Sequence, residues 1–302
     1  MLTEENRARD ALAKIPNVTG ETGPLIRMGG LTNIVFQAGQ YVLRLPGDGT
    51  EEYIDRANEA AAAKEAARAA VGPEVVYADP DTGVMVTRFV ANAATMTPEG
   101  FRNRAGSPAR AGEALARLHR SGAKFPAKFE LFAMIEDYLR ILSTKAVALP
   151  AGYHDVVKEA NAVRQALDRN PVPTVACHCD PLCENFLDTA DRMWVVDWEY
   201  SGMNDPMWDL GDLSVEGEFD DTQDSEMLTA YFGGEPPAQE HARMVIYKAM
   251  CDLLWTLWGL IQLANNNSAG DFRAYADSRF ARCNALMATP EFMRQLKVLS
   301  GS

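Results

Sequence analysis

Residues 1–90 alternate short apolar runs with turn residues, a pattern typical of an antiparallel sheet. A run rich in Ala, Glu and Arg at 51–70 predicts one helix within this region, and Gly72-Pro73 stops it. The remaining apolar runs predict five strands, two of them joined by a glycine-rich turn inside the first segment. These strand segments are 24–39, 41–45, 75–77 and 84–89.

After residue 90 the apolar positions recur every three or four residues, which predicts helices. Two short apolar pieces, 172–176 and 193–197, interrupt the helical pattern and predict a small hairpin that holds loops. We therefore predict an α+β protein of two lobes, a strand-rich lobe at 1–90 and a helix-rich lobe at 91–302. The predicted helices of the second lobe are 108–120, 129–143, 153–169, 237–265 and 271–287.

Composition narrows the class of protein. The chain of 302 residues carries a net charge of −13, which disfavours binding to nucleic acid or to anionic membrane surfaces and favours cationic partners. No apolar run reaches the roughly 18 residues of a membrane span, and the acidic N-terminal segment does not resemble a signal peptide. An odd number of cysteines, five, argues against a disulfide framework. We expect a cytoplasmic enzyme.

The densest group of reactive residues runs from His178 to Asn185 and is followed by a short apolar strand that ends at Asp197. If the two segments pair as a hairpin, Asn185 and Asp197 converge. An amide oxygen and a carboxylate are hard ligands that suit Mg²⁺. The carboxylate of Asp180 then remains to accept a proton from a hydroxyl group. These are the parts that phosphoryl transfer requires.

A glycine-rich turn between two strands lies near the start of the chain. Its position excludes the Rossmann and P-loop motifs, which precede helices, but such a turn can fold over phosphates with its backbone N–H groups. A plain turn is the alternative. Arg44 on the next strand is a candidate phosphate ligand, and Glu59 on the following helix is its candidate ion-pair partner, with Glu65 as a rival. The turn consists of Gly29, Gly30, Leu31, Thr32 and Asn33.

Aromatic pairs at helical spacing occur near the C-terminus. Trp255 and Trp258 share one helix face, as do Phe272 and Tyr275 on the next predicted helix. Together with a carboxylate such as Glu216, these rings can surround an ammonium group, each cation–π contact contributing about 0.5–2 kcal/mol. Ordinary core packing is the alternative for both pairs.

A zinc site at the cysteine-rich loop is a weaker hypothesis. Cys177, His178, Cys179 and Cys183 offer soft ligands within seven residues, but their spacing does not match known zinc motifs. Two of these cysteines flank Asp180, so the site is a candidate for sensitivity to thiol oxidants. His178 is expected to hydrogen-bond the loop backbone, and Asp209 is expected to orient the loop.

The sequence resembles the choline/ethanolamine kinase family, within the aminoglycoside-phosphotransferase and protein-kinase-like group. The resemblance spans about residues 25–280 and implies a two-lobed protein-kinase-like fold. It rests on the glycine-rich turn, Arg44, Glu59, His178-x-Asp180-x₄-Asn185, Asp197-Trp-Glu-Tyr200, Asp209 and the tryptophan segment 254–262.

The resemblance implies a kinase that uses ATP and Mg²⁺ and phosphorylates the hydroxyl of a small amino alcohol, and we expect this acceptor to be choline. Asp180 would be the catalytic base, Asn185 and Asp197 would bind Mg²⁺, and Thr87 and Phe89 would lie in the hinge that faces adenine. Ethanolamine, thiamine or an aminoglycoside as acceptor, or an inactive ligand-binding protein, are the alternatives. The family tends to have Tyr where Phe272 stands. The expected acceptor-binding residues are Asp180, Glu199, Tyr200, Glu216, Trp255, Trp258, Phe272 and Tyr275.

Overall fold

The computed structural model describes residues 3–16, 18, 23–29, 33–47 and 54–301. Within these residues, the N-terminal strands form one antiparallel sheet in the order β1-β2-β3-β5-β4. Alternation places Tyr41, Leu43 and Leu45 of β3 in the core beneath the sheet. The elements of this part are α1 (Glu4–Leu12), β1 (Leu25–Arg27), β2 (Asn33–Ala38), β3 (Tyr41–Pro46), α2 (Arg56–Arg68), β4 (Val75–Ala78) and β5 (Met85–Arg88).

Helix α2 is positioned at both ends by local hydrogen bonds. The side chain of Asp55 caps its N-terminus by accepting from the backbone N–H groups of Ala57 and Asn58, each at 3.0 Å. At its other end the N–H groups of Val71 and Gly72 both bond to the carbonyl of Ala66, so the chain turns there as Gly72-Pro73 predicted. Small alanines on one face let the helix approach the rest of the protein closely, and Glu59 shares that buried face.

The rest of the chain is mainly helical and is organised around α10. This helix of 27 residues is long and apolar enough to span a membrane by length and composition, but 83% of its most apolar window is buried against other parts of the protein. The elements are β6 (Ala94–Thr95), α3 (Pro98–Asn103), α4 (Ser107–His119), α5 (Leu131–Ser143), α6 (Tyr153–Glu159), α7 (Asn161–Arg169), β7 (Val175–Cys177), β8 (Phe186–Asp188), β9 (Met193–Val195), β10 (Gly202–Asn204), α8 (Pro206–Glu216), α9 (Asp221–Phe232), α10 (Ala238–Ala264), α11 (Phe272–Met287) and α12 (Pro290–Ser300).

The predicted pairing of 172–176 with 193–197 is wrong. Strand β7 pairs instead with β10, and β9 pairs with β8 across a short turn in which the N–H of Thr189 bonds to the carbonyl of Arg192 at 3.0 Å. A turn this short closes at little entropic cost, which favours local pairing over the longer connection. The two-lobe boundary at residue 90 stays a prediction, although the N-terminal sheet ends nearby at Arg88.

Several helices escaped sequence analysis. Helix α1 lies before the first predicted strand, within the region predicted to be rich in strands. Helix α8 is buried on nearly all sides and α9 carries a weak apolar pattern, whereas α12 has a clearly one-sided apolar pattern that the sequence analysis overlooked. A helix that is apolar or mixed all round lacks the one-sided periodicity by which amphipathic helices are recognised. The segment 153–169 also divides into two helices, α6 and α7, at Ala160.

Candidate active site

The β8–β9 hairpin brings together the residues predicted to bind metal and accept a proton. Phe186 pairs with Val195, and the next backbone bond joins the N–H of Val196 to the carbonyl of Asn185 at 2.9 Å. Asp197 therefore follows directly beside Asn185. The amide Nδ2 of Asn185 donates to the backbone carbonyl of Asp180 at 3.1 Å, so the amide oxygen is the atom left to coordinate a cation.

The loop that carries Asp180 is held by the carboxylate of Asp209, which is fully buried at the start of α8. Asp209 accepts from the backbone N–H of His178 at 2.7 Å and from that of Cys179 at 2.8 Å. Trp208 adds a bond from its indole Nε1 to the carbonyl of Cys179 at 3.0 Å. Cys179 has a φ of 68°, so these bonds stabilise a left-handed conformation that a non-glycine residue rarely adopts.

His178 links the same loop to the segment after β9. Its Nε2 lies 2.9 Å from the carbonyl of Val196, and because a carbonyl only accepts, Nε2 must carry the proton. The other nitrogen, Nδ1, is then the acceptor for the backbone N–H of Asp180 at 3.4 Å. Burial lowers the pKa of His178, which agrees with a neutral ring. The expected structural role of His178 matches these contacts.

Two carboxyl groups at the centre of the site have raised pKa values. Burial raises the pKa of Asp180 well above the ordinary value, and the nearby charges of Glu216 and Asp197 add to the effect. Burial and the charge of Glu199 also raise the pKa of Asp197, against the opposing effect of Arg44. A carboxylate that holds its proton more tightly is a stronger base than an exposed one.

A cluster of five charged side chains, the charged cluster, joins the N-terminal sheet and α2 to the segment after β9. The guanidinium of Arg44 pairs with Glu59 and lies 3.1 Å from Asp197. A second guanidinium, that of Arg56, lies 2.9 Å from Glu59 and 2.7 Å from Glu199. Two arginines against three carboxylates leave one net negative charge.

Sequence analysis found only part of this cluster. Glu59 is 1% exposed and pairs with Arg44, whereas the rival Glu65 pairs with the exposed Arg68, so the structure brings Glu59 and not Glu65 to the site. Arg56 was missed, because nothing in the sequence distinguishes it from a surface arginine at the start of a helix.

The glycine-rich turn is described only at its two ends. Gly29 is exposed, and the guanidinium of Arg27 donates to the carbonyls of Met28 and Gly29 at 2.5 and 3.2 Å. At the other end the amide of Asn33 donates to Glu199 at 2.8 Å, which ties the turn to the charged cluster. The predicted residues Gly30, Leu31 and Thr32 lie outside the described residues.

The predicted hinge residues lie at the end of β5. Thr87 pairs with Val42 of β3, and the N–H of Phe89 bonds to the carbonyl of Gln40 at 2.9 Å. Both side chains are partly buried. Their contact with a nucleotide stays a prediction.

Five aromatic side chains from three elements form one contiguous group, the aromatic cluster. Trp258 donates from Nε1 to the hydroxyl of Tyr200 at 2.8 Å, and Tyr200 packs edge-on against Trp255 with ring centroids 5.3 Å apart. On its other side Trp258 packs against Phe272 and Tyr275, both at 5.6 Å. Trp255 is 3% exposed and forms the base, whereas Tyr200, Trp258 and Tyr275 are partly exposed. The structure thus brings together all the aromatic residues predicted for the acceptor pocket.

Carboxylates of α8 border the aromatic cluster. Glu216 pairs with Arg279, whose guanidinium also lies 4.7 Å from the ring centre of Tyr275. Asp212, one turn before Glu216, accepts from the indole Nε1 of Trp255 at 3.2 Å. Sequence analysis missed Asp212 and Arg279, and the only available signal was their spacing of four residues from Glu216 and Tyr275.

The cysteines do not support the zinc hypothesis. All five are buried, and burial raises their pKa values. The thiols of Cys177 and Cys179 face backbone carbonyls of Asn204 and Gly202. Two groups in the described part of the chain bring ligand atoms within 4.8 Å of one another: His119, Cys177 and Asp209, and Glu59, Asp197 and Glu199. In the first group, Asp209 already accepts from the catalytic loop and from His119, so the second group, which is made of carboxylate oxygens alone, is the better candidate for a hard cation.

Comparison with known proteins agrees with this geometry. The phosphotransferase enzyme family matches residues 28–244. The crystal structure of a choline/ethanolamine kinase family protein from Mesorhizobium loti is 66% identical, covers 99% of this chain and 100% of its own, and has a TM-score of 0.92. The crystal structure of the choline kinase LicA from Streptococcus pneumoniae is 24% identical, covers 94% of this chain and 98% of its own, and has a TM-score of 0.79.

A structure of LicA in complex with AMP is 25% identical, covers 93% of this chain and 97% of its own, and has a TM-score of 0.75. The fold is therefore protein-kinase-like, as the resemblance implied, and the protein is a small-molecule kinase that uses a nucleotide. The chain belongs to the choline/ethanolamine kinase family, within the phosphotransferase enzymes.

Proposed function

We propose that this kinase transfers the γ-phosphoryl group of ATP to the hydroxyl of choline in a Mg²⁺-dependent reaction. The observation that carries the choice of acceptor is the aromatic cluster, whose Tyr275 lies close enough to Asp180 for the charge of Asp180 to raise the pKa of Tyr275. The five rings pack edge-on against one another, and Tyr200, Trp258 and Tyr275 remain partly exposed. Such a group suits a quaternary ammonium, which offers no N–H to hydrogen-bond and is held by cation–π contacts. Ethanolamine is the second candidate, since the same family includes both activities by name.

The residues present fit a magnesium ion. The amide oxygen of Asn185 and the carboxylate of Asp197 come from adjoining positions of one hairpin, and Glu199 adds a third oxygen ligand nearby. The charged cluster has one net negative charge, which would repel a triphosphate. Bound Mg²⁺ would reverse that charge and neutralise phosphate oxygens.

Each of the active-site residues then has a definite role in the reaction. Asp180 accepts the proton of the substrate hydroxyl, and its raised pKa makes it the stronger base. Arg44, kept in place by Glu59, contacts the phosphates. Asp209 and His178 keep the catalytic loop in the conformation that presents Asp180.

The test is ADP release in an enzyme-coupled assay with ATP and Mg²⁺, comparing choline, ethanolamine, thiamine and kanamycin as acceptors. We expect strong stimulation by choline and loss of it when Mg²⁺ is chelated. Stimulation by kanamycin or thiamine alone would refute the acceptor assignment. The variant Asp180→Ala serves as a control, because it should lose turnover and still bind ATP; substantial residual turnover would remove Asp180 from the role of base.

A further inference from the structure

Asn58 is a buried residue of α2 whose side-chain amide joins two distant segments of the backbone. It is 5% exposed, its Nδ2 donates to the carbonyl of Ser201 at 2.8 Å, and its Oδ1 accepts from the N–H of Ala127 at 2.9 Å. Because a carbonyl only accepts and an N–H only donates, this pair of partners requires a side chain with one donor and one acceptor. Asparagine meets that requirement without a charge.

The two segments that Asn58 joins lie side by side. The N–H of Met203 bonds to the carbonyl of Ala127 at 2.8 Å, and the N–H of Phe129 bonds to the carbonyl of Met203 at 3.2 Å. They also approach closely, since a Cβ atom at Gly202 would lie 3.0 Å from the backbone nitrogen of Phe129. The amide of Asn58 extends this pairing by one step, as a backbone peptide group would do.

Helix α2 is attached to the same part of the protein at its other end. The N–H of Val195 bonds to the carbonyl of Val71, just after the helix, at 3.0 Å. Ala62 and Ala66 of α2 lie in the apolar core that α4, α8 and α10 share, whereas β2 and β3 bury side chains in a separate core with α1. Contacts with the helical part of the protein therefore fix the position of α2.

The elements that Asn58 joins carry residues of both proposed ligand sites. The next residue of α2 is Glu59, which pairs with Arg44. The residue before Ser201 is Tyr200, a member of the aromatic cluster. One neutral side chain thus lies between the arginine proposed to contact phosphates and the pocket proposed to bind the acceptor.

Resting on the proposed function, we propose that Asn58 is a positioning residue for both ligands, whose two hydrogen bonds keep Glu59 and Tyr200 at the separation that binding of ATP and of the acceptor requires. Asn58 is buried behind these neighbours and acts through them. The loop that carries Asp180 has its own bonds to Asp209. Asn58 therefore governs affinity for the two ligands more than the rate of phosphoryl transfer.

The test replaces Asn58 by Leu, which has nearly the same shape and no charge but makes neither hydrogen bond. The carbonyl of Ser201 and the N–H of Ala127 then lose this partner, and α2 is no longer held to the segment after β9 at this point. We expect KM for ATP and KM for choline each to rise about tenfold, with kcat changed less than about threefold.

A second variant covers the case in which Asn58→Leu does not fold. Asn58→Ser leaves room for a water molecule to bond the two backbone groups, so it should lose less stability. It should still raise both KM values, because a water molecule does not hold α2 in place as a side chain does.

Asn170→Leu is the matched control, since it removes another amide that bonds backbone carbonyls, away from the site. Nδ2 of Asn170 donates to the carbonyls of Leu299 and Ala166 at 2.6 and 3.1 Å. This variant should lower the melting temperature and leave both KM values unchanged. Unchanged KM values in the Asn58 variants, a rise for only one of the two ligands, or an equal rise in Asn170→Leu would overturn the inference.

Failure of the proposed function is recognised separately. If no acceptor stimulates ADP release by the wild type, calorimetric titration with ATP and Mg²⁺ still compares the wild type with Asn58→Leu, because nucleotide binding needs no acceptor. Binding that is about tenfold weaker in the variant would uphold the positioning role while the reaction assignment fails. Equal binding of ATP by the two proteins would overturn the inference.

Discussion

Replacing Asp209 by Asn tests whether the catalytic loop depends on one buried carboxylate. In the native protein its two oxygens accept from the N–H groups of His178 and Cys179 at 2.7 and 2.8 Å, and one of them also contacts Nε2 of His119 at 3.0 Å. Asparagine keeps one oxygen and turns an NH₂ group toward a buried donor. The loop then loses a hydrogen bond to a charged acceptor and retains an unsatisfied N–H group.

The magnitude follows from these contacts. A hydrogen bond to a charged group contributes about 1.5–3 kcal/mol, and an unsatisfied buried group costs a further ~1 kcal/mol or more. We therefore expect Asp209→Asn to lower the free energy of unfolding by about 3 kcal/mol, which in a chain of this size lowers the melting temperature by roughly 5 °C. Since Asp180 directly follows Cys179, a displacement of about 1 Å should lower kcat by about a hundredfold.

The assay pairs thermal unfolding with steady-state kinetics under conditions in which the variant is folded. Asp224→Asn is the matched control, because it removes a buried carboxylate that accepts from Ser214 at 2.6 Å, away from the catalytic loop. That control should lose stability and keep its kcat. The reasoning is refuted if Asp209→Asn retains the wild-type kcat, or if both variants lose kcat to the same degree.

Two further predictions concern the protein without ligands. Burial raises the pKa of Asp180 above its unfolded value near 3.9, so ionisation of Asp180 opposes folding increasingly as the pH rises. Asp180→Asn should therefore have a higher melting temperature than the wild type at pH 8, and the difference should shrink toward pH 5. A difference in melting temperature that stays the same between pH 8 and pH 5 would contradict this reasoning. All five cysteines are buried with raised pKa values, so a thiol reagent should label none quickly in the native protein and five after denaturation. Rapid labelling with loss of activity would instead restore the oxidant-sensitivity hypothesis for Cys179 and Cys183.

The sequence predicted secondary structure correctly where the apolar periodicity and the turn residues indicate the same element. The strands of the N-terminal sheet, helix α2 with its stop at Gly72, and the long helix α10 followed from periodicity and from turn residues. The sequence analysis expected Asn185 and Asp197 to converge if their segments paired as a hairpin, and they do converge, but through β8, a strand that the sequence analysis did not predict. Prediction failed for β7, whose partner β10 lies some 25 residues further along, since nothing local selects among possible strand partners.

The sequence by itself determined the chemical inventory of this protein: which residues stand five apart on the catalytic loop, which aromatic rings share a helix face, and how acidic the chain is as a whole. Those features depend only on spacing and residue type. Only the tertiary structure decided which charges meet. Arg56 joins the charged cluster and Arg279 pairs with Glu216, whereas one oxygen of the buried Asp212 has no hydrogen-bond partner among the residues that the structure describes. Nothing in the sequence distinguishes these three residues from other charged residues. The reason is physical, because burial and long-range contact set the energy of a charge, and neither is a property of the neighbouring residues along the chain.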